Sequence, residues 1–143
     1  MGDATLEQLE ILARRFRDAI EQAPADQLPV TMQNFPTGAC GDATLLLGHY
    51  LKAQGLDAFD YVLGERDDHS HAWVQQGDII IDITADQFAE IDRPIIVTAN
   101  PDWHNEFKAE VLHEADFTIY DAYTAATLAA AYHTILQHME VPA

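Results

Sequence analysis

The sequence predicts an α+β domain in which N-terminal helices pack on an antiparallel β-sheet. Apolar residues recur at helical spacing up to residue 54, they switch to short alternating runs after Gly55, and a glycine turn joins two of those runs as a hairpin. Residues 4 to 22 open the chain as a helix: Leu6, Leu9, Ile11 or Leu12, Phe16 and Ile20 form its apolar stripe. Arg14, Arg15 and Arg17 cluster on and beside the other face, where Glu7, Glu10, Asp18 and Glu21 make them read as a solvated, ion-paired surface. Pro24 and Pro29 end this helix and lead through a loop to Phe35-Pro36-Thr37-Gly38.

A second helix follows. Ala43, Leu46, Leu47, Tyr50 and Leu51 fall on one buried stripe, with Gly55 as the stop. Cys40, the single cysteine, lies three residues before Ala43 and so at the helix start on the inward face. Unpaired backbone N–H groups and the positive end of the helix dipole favour a thiolate there. Gln33 and Asn34, just upstream, are the amides available to assist as oxyanion donors.

Strands are expected at Ala58–Leu63, His69–Gln75 and Ile79–Thr84, with Gly64–Asp68 a polar loop. A hairpin symmetric about the Gln76-Gly77 bond sets His71 opposite Asp82 and Trp73 opposite Ile80. Opposed residues share a face with Cβ atoms about 4.5–5.5 Å apart, close enough for a carboxylate to hold an imidazole. Asp82 stands among Ile80, Ile81 and Ile83, and an acid buried in such company needs a partner. Pro94–Thr98 and Phe107–His113 read as two further strands. The alanine-rich run from Tyr120 to Met139 reads as a closing helix with Tyr123, Leu128, Ala131, Ile135 and Met139 inward.

At 143 residues and 48% hydrophobic content, the chain has the size of one domain, 1–143, with its own core. Its 24 acidic residues against 7 lysines and arginines give a net charge of −17, which repels nucleic acid and anionic membrane and tolerates cationic substrates or basic peptides. One cysteine forms no internal disulfide, and no signal peptide or membrane-spanning run is legible, so a cytoplasmic location is expected.

Thiol, imidazole and carboxylate in the order Cys40, His71, Asp82 form the set a cysteine nucleophile needs: the base takes the thiol proton and the acid fixes the imidazole. Over residues 35–90, Gly38-Ala39-Cys40-Gly41, the glycines at 55 and 64, His71-Ala72-Trp73-Val74 and Ile81-Asp82-Ile83-Thr84 resemble the core of the transglutaminase-like branch of the papain-like cysteine enzymes. The resemblance implies a papain-like (transglutaminase-core) fold and a Cys40–His71–Asp82 triad. It also implies acyl-enzyme chemistry on an amide or ester bond of a peptide, protein or small molecule, without cofactor or metal. Members include peptidases, amidases, deamidases and amine acyltransferases. Papain-like peptidases carry a glutamine six residues before the cysteine; here Asn34 stands there and Gln33 one earlier. Two other classes compete: a non-catalytic binding module of the same fold, and a metal-binding domain built on His69 and His71 with Asp82, His49 or His104.

Overall fold

A computed structural model describes residues 5–139. Helix α1 (Leu6–Gln22) starts at a capping box, in which the Gln8 N–H donates to the Thr5 hydroxyl and the Thr5 N–H donates to the Gln8 side-chain carbonyl. The expected start at residue 4 lies outside the described residues. Leu9, Ala13, Phe16 and Ile20 are buried, and Phe16 stacks on Tyr50 of α2 (Cys40–Ala53) with ring centroids 4.8 Å apart. Helix α2 is buried almost all round, because it lies between α1 and the sheet. Gly48 is what lets it approach so closely: a Cβ there would fall 1.9 Å from the Ala115 carbonyl oxygen.

Five strands form one antiparallel sheet: β1 (Asp60–Arg66), β2 (His69–Gln76), β3 (Ile79–Asp82), β4 (Ile96–Thr98) and β5 (Lys108–Glu114), in the order β4-β3-β2-β1-β5. One face, carrying Tyr61, Ala72, Val74 and Ile81, packs in the main core with α1 and α2. The other carries Val62, Trp73 and Ile80 under Phe107, with Phe88 and Trp103 at its margin. Helix α3 (Ala122–Gln137), N-capped by Asp121, closes the main core through Leu128, Ala131 and Ile135. Among the described residues no helix is long and apolar enough to cross a membrane.

Four expectations need correction. The run 64–68 is not a loop: Gly64, Glu65 and Arg66 continue β1 opposite His71, Ser70 and His69, leaving only Asp67-Asp68 as the turn. Asp67 takes the positive φ (58°) that such a two-residue turn demands. The β2–β3 hairpin turns on Gly77-Asp78, one residue later than expected, so Gln75 faces Ile80 and Val74 faces Ile81. His71 is therefore not directly opposite Asp82, nor Trp73 opposite Ile80. Each partner moved by two residues, and a shift of two leaves every side chain on its own face.

Arg17 is not on a solvated face. It is 4% exposed, and its guanidinium grips Asp86 with two bonds (2.8 and 2.9 Å), Glu21 (2.9 Å), and the carbonyls of Ile83 (2.9 Å) and Pro94 (2.7 Å). Beside Phe16 in sequence it shares the inward side, and a buried arginine is tolerable because its fork of donors is satisfied. Tyr123, expected inward, is 81% exposed, because the first turn of α3 projects ahead of the core.

Candidate functional site

Cys40 is the first residue of α2 and half-buried. The local chain explains what it meets. β3 pairs with β2 only from Val74 to Gln76, so the earlier part of β2 has no strand on that side, and the Ala72 N–H reaches the sulfur instead. Burial pushes the thiol up, but a hydrogen bond from His71 and its charge, together with the Ala72 N–H, outweigh burial and the Asp82 charge. The thiol settles below its ordinary range.

His71 is fully buried, and its Nε2 lies 2.6 Å from Asp82 Oδ2. Burial pulls the imidazolium down, while the Asp82 charge and hydrogen bond and the thiol beside it pull harder the other way, raising His71 to about 9. Burial would raise Asp82, but His71 and His104 hold its carboxyl well below the usual carboxylate range. The two-residue shift in register makes this contact diagonal rather than direct, and the imidazole is long enough to span it.

With Nε2 committed to Asp82, Nδ1 is the imidazole nitrogen left for the thiol. Gln87 Nε2, which donates to the Thr84 carbonyl at 3.1 Å, also lies 3.3 Å from His71 Nδ1. That contact belongs to the neutral imidazole, in which Nδ1 accepts from the amide while the Nε2 hydrogen goes to Asp82.

Asp82 carries more than a triad requires. Oδ2 also receives His104 Nε2 at 2.7 Å, and Oδ1 accepts the Thr84 N–H at 3.0 Å. Sequence reading assigned His104 only as a possible metal ligand and missed Gln87 as a contact of His71. Both sit in short 3-10 turns, at Ala85–Gln87 and His104–Glu106, where no periodicity marks an inward side. Phe88, Phe107, Trp73 and Trp103 surround the His71 ring at 5.1–5.9 Å between centroids. Arg66 roofs that aromatic box, 4.7 Å above Phe107, held by Glu90 and Glu106. Water is thereby kept from the His71–Asp82 bond.

The two upstream amides are exposed. Gln33 is exposed and donates its amide to the Leu28 carbonyl at 3.2 Å, and the exposed Asn34 side chain has no hydrogen bond among the described residues. Of the metal candidates, His71, Asp82 and His104 offer ligand atoms within 4.8 Å of one another. Two imidazoles and a carboxylate suit zinc and its neighbours. His69 is exposed, and His49 pairs with Asp116 at 3.1 Å.

No protein-family model, curated protein or solved structure matches this chain. Function is then a matter of what these side chains can do.

Proposed function

We propose that the chain is a cysteine-dependent acyl-transfer enzyme or hydrolase of the transglutaminase-like, papain-like kind, acting on an amide or ester bond. The observation that carries this is the His71 imidazole, bound through Nε2 to a buried carboxylate and lying beside a thiol that its charge helps to hold below the ordinary range. The Cys40 thiolate attacks the carbonyl carbon while His71 holds the proton at Nδ1. As the tetrahedral adduct collapses, His71 returns that proton to the leaving amine or alkoxide, and a thioester remains on Cys40. Water or an amine, deprotonated by the now neutral His71, then resolves the thioester. Asp82 stays ionised throughout and stabilises the imidazolium. An antiparallel sheet with the cysteine helix packed against it accords with a papain-like fold.

The test is alkylation of Cys40 by iodoacetamide across pH, with acylation by p-nitrophenyl acetate followed by mass. Expected are an alkylation midpoint below about 8.5, the free-thiol value, a single acetyl group on Cys40, and no acylation of Cys40→Ala. A free-thiol midpoint with no acyl adduct would overturn the reading. A metal centre is the second reading, favoured by the convergence of His71, Asp82 and His104. Stoichiometric Zn²⁺ binding by calorimetry, lost in His104→Ala and retained in Cys40→Ala, would support it.

A further inference from the structure

The acyl-transfer reading leaves one job open, since the Gln33 amide is taken by the Leu28 carbonyl and Asn34 lies exposed. Tyr61, on β1, is nine-tenths buried as a residue, and its hydroxyl, which bonds no group among the described residues, stays open to solvent and so to a substrate. That hydroxyl is aimed at the first turn of α2: a Cβ built on Gly41 would lie 3.2 Å from it. The same turn has no side-chain cap, and its first intrahelical bond is Ala43 N–H to the Ala39 carbonyl, so the N–H groups of Cys40 and Gly41 have no acceptor within the helix. A phenol hydroxyl and two backbone donors without a helical acceptor thus converge on the turn that carries the sulfur. The ring cannot swing away, because it packs on His113 at 4.9 Å, and His113 is itself fixed by the Tyr120 hydroxyl at 2.9 Å.

We infer that Tyr61 is a catalytic residue of this site, donating its phenolic O–H to the carbonyl oxygen of the substrate as negative charge gathers there. The inference rests on the acyl-transfer reading. As the C–S bond forms, the carbonyl π pair moves onto oxygen. The phenol and the Cys40 N–H meet that oxyanion, and the pair returns when the leaving group departs. The phenol keeps its proton throughout. Burial raises Tyr61 to about 12, with the charges of Cys40, Tyr120 and Asp42 adding to it, so it remains a donor wherever Cys40 is a thiolate. Gly41 belongs to the same design, since any side chain there would press on the hydroxyl.

Tyr61→Phe removes one oxygen and keeps the ring. Two reactions of Cys40 separate its roles: acylation by p-nitrophenyl acetate passes through an oxyanion, whereas alkylation by iodoacetamide displaces iodide and creates none. The variant is expected to acylate about 100-fold more slowly, the usual cost of one lost oxyanion donor. Its alkylation rate and alkylation pH midpoint should match the parent protein. Equal acylation by parent and variant overturns the role of Tyr61 and leaves the nucleophile standing. A shifted alkylation midpoint in the variant also overturns it, because Tyr61 would then act on the thiol. If the parent itself shows a free-thiol midpoint and no acyl adduct, both readings fail together.

Discussion

Among the described residues two aspartates that pair with histidine are built on the same local design, and only one sits beside a thiol. Asp82-Ile83-Thr84 and Asp116-Phe117-Thr118 both fold so that the aspartate accepts the N–H of the threonine two residues on, at 3.0 Å in each case. Each aspartate also meets an imidazole, Asp82 meeting His71 at 2.6 Å and Asp116 meeting His49 at 3.1 Å. Their other partners differ. Asp116 is neutralised by Lys52 Nζ at 2.9 Å and takes the Thr118 hydroxyl at 2.9 Å, whereas Asp82 has a second imidazole and no lysine or arginine. A carboxylate whose charge is already matched by an ammonium has little left with which to hold an imidazolium. Among the described residues Asp82 pairs with histidines alone, and Arg66, over the aromatic rings, is taken by Glu90 and Glu106.

The largest expected break in this comparison comes from Asp82→Asn set against Asp116→Asn. The first leaves His71 an amide that supports the wrong tautomer, and acylation by p-nitrophenyl acetate should fall about 10³–10⁴-fold. The second should leave that rate within about threefold and lower the melting temperature instead, since it removes a buried carboxylate from Lys52 and costs on the order of 2 kcal/mol. Equal losses of rate in the two variants would show that the pairs are equivalent and that the triad is no triad.

A pH titration of stability sharpens the contrast, because the shifts run to opposite ends. Asp116 is pushed up by burial but drawn down further by Lys52 and Thr118, to about 2 against an ordinary 3.8. Its contribution is present above about pH 4 and is lost as pH falls towards 2. His71, raised to about 9, contributes fully below its ordinary 6.5 and loses that contribution as pH climbs through 9. Urea melts at a series of pH values should show both limbs. Asp116→Asn should make the acid limb shallower, though Asp82 also feeds it, and leave the alkaline limb in place; His71→Asn should remove the alkaline limb and, by taking a partner from Asp82, make the acid one shallower as well.

Much of the architecture was legible because helices and paired strands impose periods, and α1, α2 and the β2–β3 hairpin all obey them. What escaped was phase within one element and the side chains outside any period. Arg17, four residues after Ala13 and three before Ile20, lies nearer the apolar stripe than Arg14 or Arg15, but no period shows that an acid, Asp86, comes from a distant turn to hold it there. The hairpin was misplaced by one residue because Gln76-Gly77 and Gly77-Asp78 are both plausible turns. The face of His71 and Asp82 survived the error only because a symmetric shift moves partners by two. The Asp-x-Thr pattern discriminates poorly on its own, since it recurs at 116–118. His104, Gln87 and Tyr61 had no local signal, because each acquires its neighbours through long-range packing.

The smallest expected effect concerns the two threonines. The Thr118 hydroxyl is bonded to its aspartate, while Thr84 Oγ1 is buried without a partner among the described residues. Thr84→Val replaces an unsatisfied hydroxyl with a methyl of the same shape, and the thermal melt should stay level or rise by up to about 1 kcal/mol. Thr118→Val should lose about that much. A Thr84→Val variant as damaged as Thr118→Val would mean that the Thr84 hydroxyl does find a partner in solution.

The sheet order has a consequence for how the molecule opens. β1 meets β2 across a two-residue turn but meets β5 only after the chain has travelled through residues 67–107, so docking β5 carries the larger loop-closure cost. β5 is also the outermost strand on that side, exposed from Lys108 to Leu112 and charged at Lys108, Glu110 and Glu114. Amide protons of β5 should therefore exchange with solvent well before those of β2, by local detachment rather than global unfolding. Cys40, His71 and Asp82 all lie on elements away from that strand. Opening of that edge frees His113 from Tyr61, while Cys40, His71 and Asp82 stay on elements of their own.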